Sequence, residues 1–352
     1  MRARGATSLM KLALSMLLLA ACTAACGTSG PADPPAARPL ADSRQSWTAI
    51  SLNAVAGEDV RRTIADLLGL VDGNALWPEF NWSDHGVILV VDDRREGSIA
   101  YCVGTCDPEI ALRGTSRVWS AAAPVWIAPG EFRFTPLSAW SQRGSGEIVA
   151  IGFDSREHSI VTAVHEDFHL HYQERYAIAF GEIIGAGGEM SPATRSSLEK
   201  GYSRSDSTAG QLRDECFALV DVLHAGAGDR PAAMAALRRF VTIREARRAR
   251  PAMPSGEEDY WERQEGVPTN LERRAATRMK FADQSAIATA LTGRGCETIT
   301  SGSYFLVLGG LQAAVLDAFA DEHVWPNRVY PRDGTRASSL FALVRAVSLE
   351  ER

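Results

Sequence analysis

Residues 147–173, "EIVAIGFDSREHSIVTAVHEDFHLHYQ", change their period part-way along, and that change decides how the chain folds. "EIVAIGF" is a short apolar run rich in β-branched residues and reads as a strand. Beyond it, Ile160, Val164 and Phe168 recur every four places, the spacing of a helix with one buried stripe. Asp154, with Glu157 three places on, is expected to cap that helix. His165 and His169 are also four apart, so both imidazoles leave one face a turn apart. Two neutral ring nitrogens so arranged suit adjacent corners of a metal tetrahedron, and Glu166 beside them can take a proton from water. His171 points away from the pair, and His158, two turns earlier, is expected at the rim or in solvent.

Working outward, "GVILVVDD", "SIAYCV" and "RVWSAAAPVWIAP" are further strand-like runs separated by Gly, Pro and charged turns. Ahead of them, "EDVRRTIADLLGLVDG" has helical spacing and a stop at Gly73. After residue 154 helical spacing takes over, with helices expected over 155–180, 210–225, 231–249, 270–290, 303–321 and 338–348. The fold class is therefore α+β: a small N-terminal β-sheet in residues 46–153, followed by a mostly helical half, 154–352, that carries the histidine helix. The change near 154 need not be a domain boundary.

The N-terminus adds a location. "MRARGATSLMKLALSMLLLAACTAAC" has a basic start and an apolar run shorter than the ~20 residues that span a bilayer. It reads as an export signal over 1–22. "LAAC" resembles the lipobox of bacterial lipoproteins, which implies lipidation at Cys22 and an extracytoplasmic, membrane-anchored protein of the cell envelope. Thr23 after that Cys leans towards the outer membrane where two membranes exist. A plain cleaved signal is the alternative. Residues 23–45, rich in Pro, Gly and Ala, read as a flexible tether. Export permits disulfides, and Cys102 with Cys106 and Cys216 with Cys296 are the candidate pairs. The chain has 352 residues and a formal net charge of −6, which gives no basic face for nucleic acid.

Two histidines need a third ligand. Glu182, Glu189, Glu199, Glu215 and Glu265 are the downstream candidates. Glu265 has Glu272 two helical turns on, so one carboxylate could bind metal while the other orients a histidine. Gly266 permits a close approach by a helix or by the metal site. Glu215, on a convincing helix, stays the runner-up.

Together, "HEDFHLHYQ" and the later "WERQEG" resemble gluzincin-type zinc metallopeptidases, tightly at these two motifs only. The resemblance implies a zincin-like fold, zinc held by His165, His169 and Glu265, Glu166 as general base, Tyr304 as a donor to the oxyanion, and peptide or protein substrates. An extended peptide could add to the sheet at the strand over 148–153. Three residues depart from the pattern: Asp167, Pro268 and Asn270. Pro268 is expected to start its helix near Gly266. These departures favour the alternative, a zincin-like binding or envelope-maintenance lipoprotein without activity. The arginines of "LRRFVTIREARRARP" are expected on a solvated helix face, or against anionic lipid.

Overall fold

The computed structural model describes residues 47–71, 76–78, 80, 86–93, 97–106, 117–136, 140, 147–173, 176, 206–249, 255–283, 285–299, 303–321, 323–333 and 335–349. The leader over 1–22, the tether over 23–45, and Glu182, Glu189, Glu199 and Arg250 lie outside these residues.

Six strands form one mixed sheet: β1 (Thr48–Ala49), β2 (Gly86–Asp93), β3 (Gly97–Gly104), β4 (Val118–Ala122), β5 (Phe132–Pro136) and β6 (Glu147–Gly152). Their order is β1-β4-β3-β2-β6-β5, with β2 and β6 parallel and the other neighbours antiparallel. Side chains alternate across the sheet as the pleat requires. Val87, Leu89, Tyr101, Val103, Val149 and Ile151 face the main core. Ile88, Val90, Ala100, Cys102, Ile148 and Ala150 face a smaller cluster closed by Trp119, Ile127 and Trp140. Burial on both faces explains why β2 and β6 read as continuous apolar runs.

The strand expected to offer an edge over 148–153 does not: β6 lies between β2 and β5. The outermost strand on that side is β5, because the chain returns antiparallel from β5 to β6 and leaves β5 outside.

Helix α1 (Glu58–Val71) and helix α2 (Arg156–Phe168) cover the main-core face, tied by Arg156 Nε donating to Asp66 at 2.5 Å. Ser155, rather than Asp154, caps α2: its hydroxyl accepts from the His158 amide. Asp154 instead accepts from His158 Nδ1 at 2.9 Å, so this histidine is a partner of the helix entry and not a rim of the metal cluster. The α-helical pattern expected to 180 ends at Phe168, where His169–Gln173 forms a π-turn.

The helical half continues with α3 (Asp206–Ala225), α4 (Arg230–Arg248), α5 (Ser255–Met279), α6 (Ala286–Leu291), α7 (Arg294–Glu297), α8 (Tyr304–Phe319), α9 (Trp325–Val329) and α10 (Leu340–Leu349). Helix α5 corrects two expectations. It starts eleven residues before Gly266, and Pro268 sits inside it. It crosses α8 where Gly266 and Gly309 meet main chain to main chain: a Cβ on either would collide with the other helix's backbone. The close approach that Gly266 allows is therefore to a helix.

The arginines of α4 divide by face. Arg238 and Arg239 are exposed, but Arg244 and Arg247 are completely buried. Arg244 donates to Glu215 on α3 and to Glu262 on α5, and Arg247 to Glu215 and Glu258, at 2.5–3.2 Å. Gln312 on α8 joins through Glu262 at 2.8 Å. The expected solvated face is thus half wrong, because two helices bring carboxylates, and α8 an amide, to meet these guanidiniums. Burial alone would raise the Glu258 pKa, but Arg247 and Arg244 overcome it and hold the carboxyl down at about 2. Cys102 is bonded to Cys106 at the end of β3, and Cys216 on α3 to Cys296 on α7.

Candidate metal centre

Helix α2 lies with its C-terminal turn against α5, and the two motifs meet there. His165 Nε2 is 3.7 Å and His169 Nε2 3.9 Å from one oxygen, Glu265 Oε2. The three donor atoms lie within 4.8 Å of one another, and among the described residues this is the group that could hold a metal ion. A tetrahedral zinc site with bonds of about 2.0–2.1 Å has corners roughly 3.4 Å apart. The two edges to Glu265 exceed that by tenths of an ångström, so the residues fit the ion.

The far side of each imidazole is already committed. Glu272 accepts the His165 Nδ1–H at 2.6 Å, so the two carboxylates expected on one side of α5 bracket a single ring. Gln173 Oε1 meets His169 Nδ1 at 2.5 Å. With Nδ1 of each ring turned to its own acceptor, both Nε2 atoms face the Glu265 carboxylate and, in the neutral rings, are the acceptor nitrogens. Three acceptors that face one another repel unless a cation or a proton lies between them. One proton relieves one pair; a dication relieves all three.

The charge balance of the metal-free cluster points the same way. Burial pulls the His165 pKa down, but Glu265 and Glu272 outweigh it and raise the group well above its usual value. Burial, assisted by the charges of Glu265 and Glu272, pushes Glu166 up to about 8. Glu166 follows His165 directly and is almost fully buried.

Other candidates fall away from the centre. Both oxygens of Glu215 are engaged by Arg244 and Arg247, which removes the runner-up for third ligand. His171 Nε2 faces Asp167 at 3.4 Å, so the two unusual residues of the motif form a pair of their own. Asn270 donates to Asp317 on α8 at 2.8 Å, a packing role at the α5–α8 contact. Tyr304 is fully buried, at the start of α8, with its ring against that of Phe305.

Sequence reasoning missed Gln173. It is 2% exposed, and its Nε2 donates to Tyr330 Oη at 2.6 Å and to the Gln264 carbonyl at 3.1 Å. Its place four residues after His169, the same step that separates the two histidines, was the available signal. Tyr330 is held by an edge-to-face aromatic group with Trp77, Phe168 and Tyr172.

Two surface clefts lie elsewhere, of about 260 Å³ and 520 Å³, and share Val324 and Arg328. Neither includes a residue of the His165–His169–Glu265 group. No family model matches the chain, and no curated protein or solved structure matches it either.

Proposed function

We propose that the chain is a zinc-dependent hydrolase of peptide bonds, zincin-like in fold, exported and lipid-anchored in the cell envelope. The observation that carries the reading is the convergence of two Nε2 atoms and one carboxylate oxygen, each imidazole held from behind by its own partner. Nitrogen and oxygen donors at these separations suit zinc, and three protein ligands leave the fourth position for reactants. His171 and His158, the nearby alternatives for a fourth ligand, are paired with Asp167 and Asp154.

Zinc at such a site polarises a carbonyl and lowers the pKa of water. Glu166 takes the proton as water attacks and passes it to the leaving nitrogen. Glu272 and Gln173 keep the imidazoles aimed. Burial of the cluster strengthens each of these electrostatic contacts relative to water. The outer strand β5 is the sheet edge at which an extended substrate could pair. Lipidation at Cys22 and an extracytoplasmic location rest on the N-terminal sequence, and the two disulfides support an oxidising compartment.

The deciding experiment is zinc per chain after purification without chelator, for wild type and Glu265→Ala. One zinc in wild type that is lost in the variant is expected; none in wild type sinks the proposal. A second reading, a zincin-like chain that binds without cleaving, draws on the interior place of Tyr304. Stoichiometric zinc with no cleavage across broad peptide libraries would favour it.

A further inference from the structure

Pro268 looks like a defect in the helix that carries Glu265. A proline has no N–H to give the carbonyl four residues back, so inside a helix it leaves that acceptor short of a donor. Here the carbonyl is that of Gln264, the residue before the third ligand. Into it Gln173 Nε2 donates at 3.1 Å, with the Arg263 carbonyl a further 3.5 Å contact of the same nitrogen.

That contact settles which way the Gln173 amide faces. Two main-chain carbonyls can accept hydrogen bonds and cannot donate, so the NH2 end must point at α5. The carbonyl end then points at His169, and the 2.5 Å contact to Nδ1 requires the hydrogen to be on the ring. In the neutral ring Nε2 of His169 is then the acceptor nitrogen, and it faces Glu265 Oε2 at 3.9 Å. Tyr330 completes the clamp: its Oη lies 2.6 Å from Gln173 Nε2 and 3.4 Å from the Arg263 carbonyl. The π-turn over His169–Gln173 belongs to the same device, since such turns interrupt α-helices where a side chain must be re-aimed.

We infer that Gln173, anchored on the Gln264 carbonyl that Pro268 leaves open, is the positioning residue that fixes the tautomer and aim of His169. The inference rests on the zinc reading above and deepens it. It turns a departure from the peptidase pattern, Pro268, into a working part of the ligand set. His165 is oriented by a carboxylate on α5, and His169 by an amide that α5 holds through its own main chain. One helix therefore sets both imidazoles and supplies the third ligand.

The test is a zinc titration of the full chain against a competing chelator for wild type, Gln173→Leu and Pro268→Ala, with the melting temperature of each metal-free protein. Gln173→Leu is expected to bind zinc about 10–100-fold more weakly, the usual cost of losing a histidine's outer partner. Pro268→Ala restores an N–H that competes for the Gln264 carbonyl. It is expected to weaken zinc binding while the metal-free melting temperature holds or rises. A purely structural role for Pro268 cannot give those opposite signs. If Gln173→Leu does not fold, Pro268→Ala decides alone. A wild type that takes up zinc, with variants that bind it equally well, overturns the inference and leaves the zinc reading standing. A wild type that takes up none overturns both.

Discussion

At the scale of residues, the chemistry of the centre follows from which atoms are already spoken for. Helical spacing made the pairs His165 with His169 and Glu265 with Glu272 legible, each on one side of its own helix, whereas the meeting of the two pairs was expected only from the motif resemblance. Gln173 was not, since glutamine is common on helices and its meaning appears only when the carbonyls of another helix come beside it. Ser155 displaced Asp154 as the cap for a similar reason: His158 offered the aspartate a better partner. Glu166 lies beside the donors rather than among them, so replacing it should spare the metal. Glu166→Gln is expected to keep one zinc per chain and to lose about 10²–10⁴-fold in peptide cleavage, the usual worth of a general base. Equal cleavage by variant and wild type would remove Glu166 from the mechanism.

At the scale of elements, α5 is held at both ends of its working stretch. Upstream, Glu258 and Glu262 are bound to buried arginines of α4; downstream, Asp317 on α8 accepts from Arg273 and Arg274. The buried network escaped the sequence because Arg-rich helices are usually solvated, and only the approach of α3 and α5 makes an interior of that face. Removing one partner leaves a buried charge uncompensated. Arg247→Ala is accordingly expected to cost about 3–5 kcal/mol in urea unfolding. A loss below about 1 kcal/mol, the scale of exposed pairs, would contradict it.

Acid titration reads the same network. Arg247, Arg244 and Arg248 face Glu258, together with Glu215 and Glu262. Its carboxyl is held down at about 2 in the fold against an ordinary 4.5. A depressed carboxyl contributes stability that is full above the unfolded value and disappears as pH falls through the folded one. The advantage of wild type over Glu258→Gln should therefore be complete above about pH 4.5 and shrink towards pH 2. An advantage that does not change over that window would refute the assignment.

For the molecule as a whole, the alternation of period gave the α+β division, and the strand runs gave β2, β3, β4 and β6 but missed β1 and β5. Strand order was not legible, because nothing in β6 says that β5 will lie outside it; that follows from the antiparallel return between them. Nor could spacing reveal that α5 runs unbroken through Pro268. The Cys216–Cys296 bond closes a loop of sequence separation 80 between α3 and α7. A loop of that length restricts the unfolded chain by about 4 kcal/mol. Replacing both cysteines with alanine should lower stability on that scale, whereas the loop of separation 4 between Cys102 and Cys106 should matter less. Comparable losses in the two double variants would show that loop length is not the cause.

The crossing of α5 and α8 has a consequence for finding kin. Main-chain atoms meet at Gly266 and Gly309, so the helices are already as close as they can come, and a side chain at either point would force them apart. A relative that kept this crossing would be expected to keep small residues at those two points. The search image that follows is H-E-x-x-H-x-x-x-Q, then E-G-x-P-x-x-x-E, then a Gly-Gly pair within a later apolar helix.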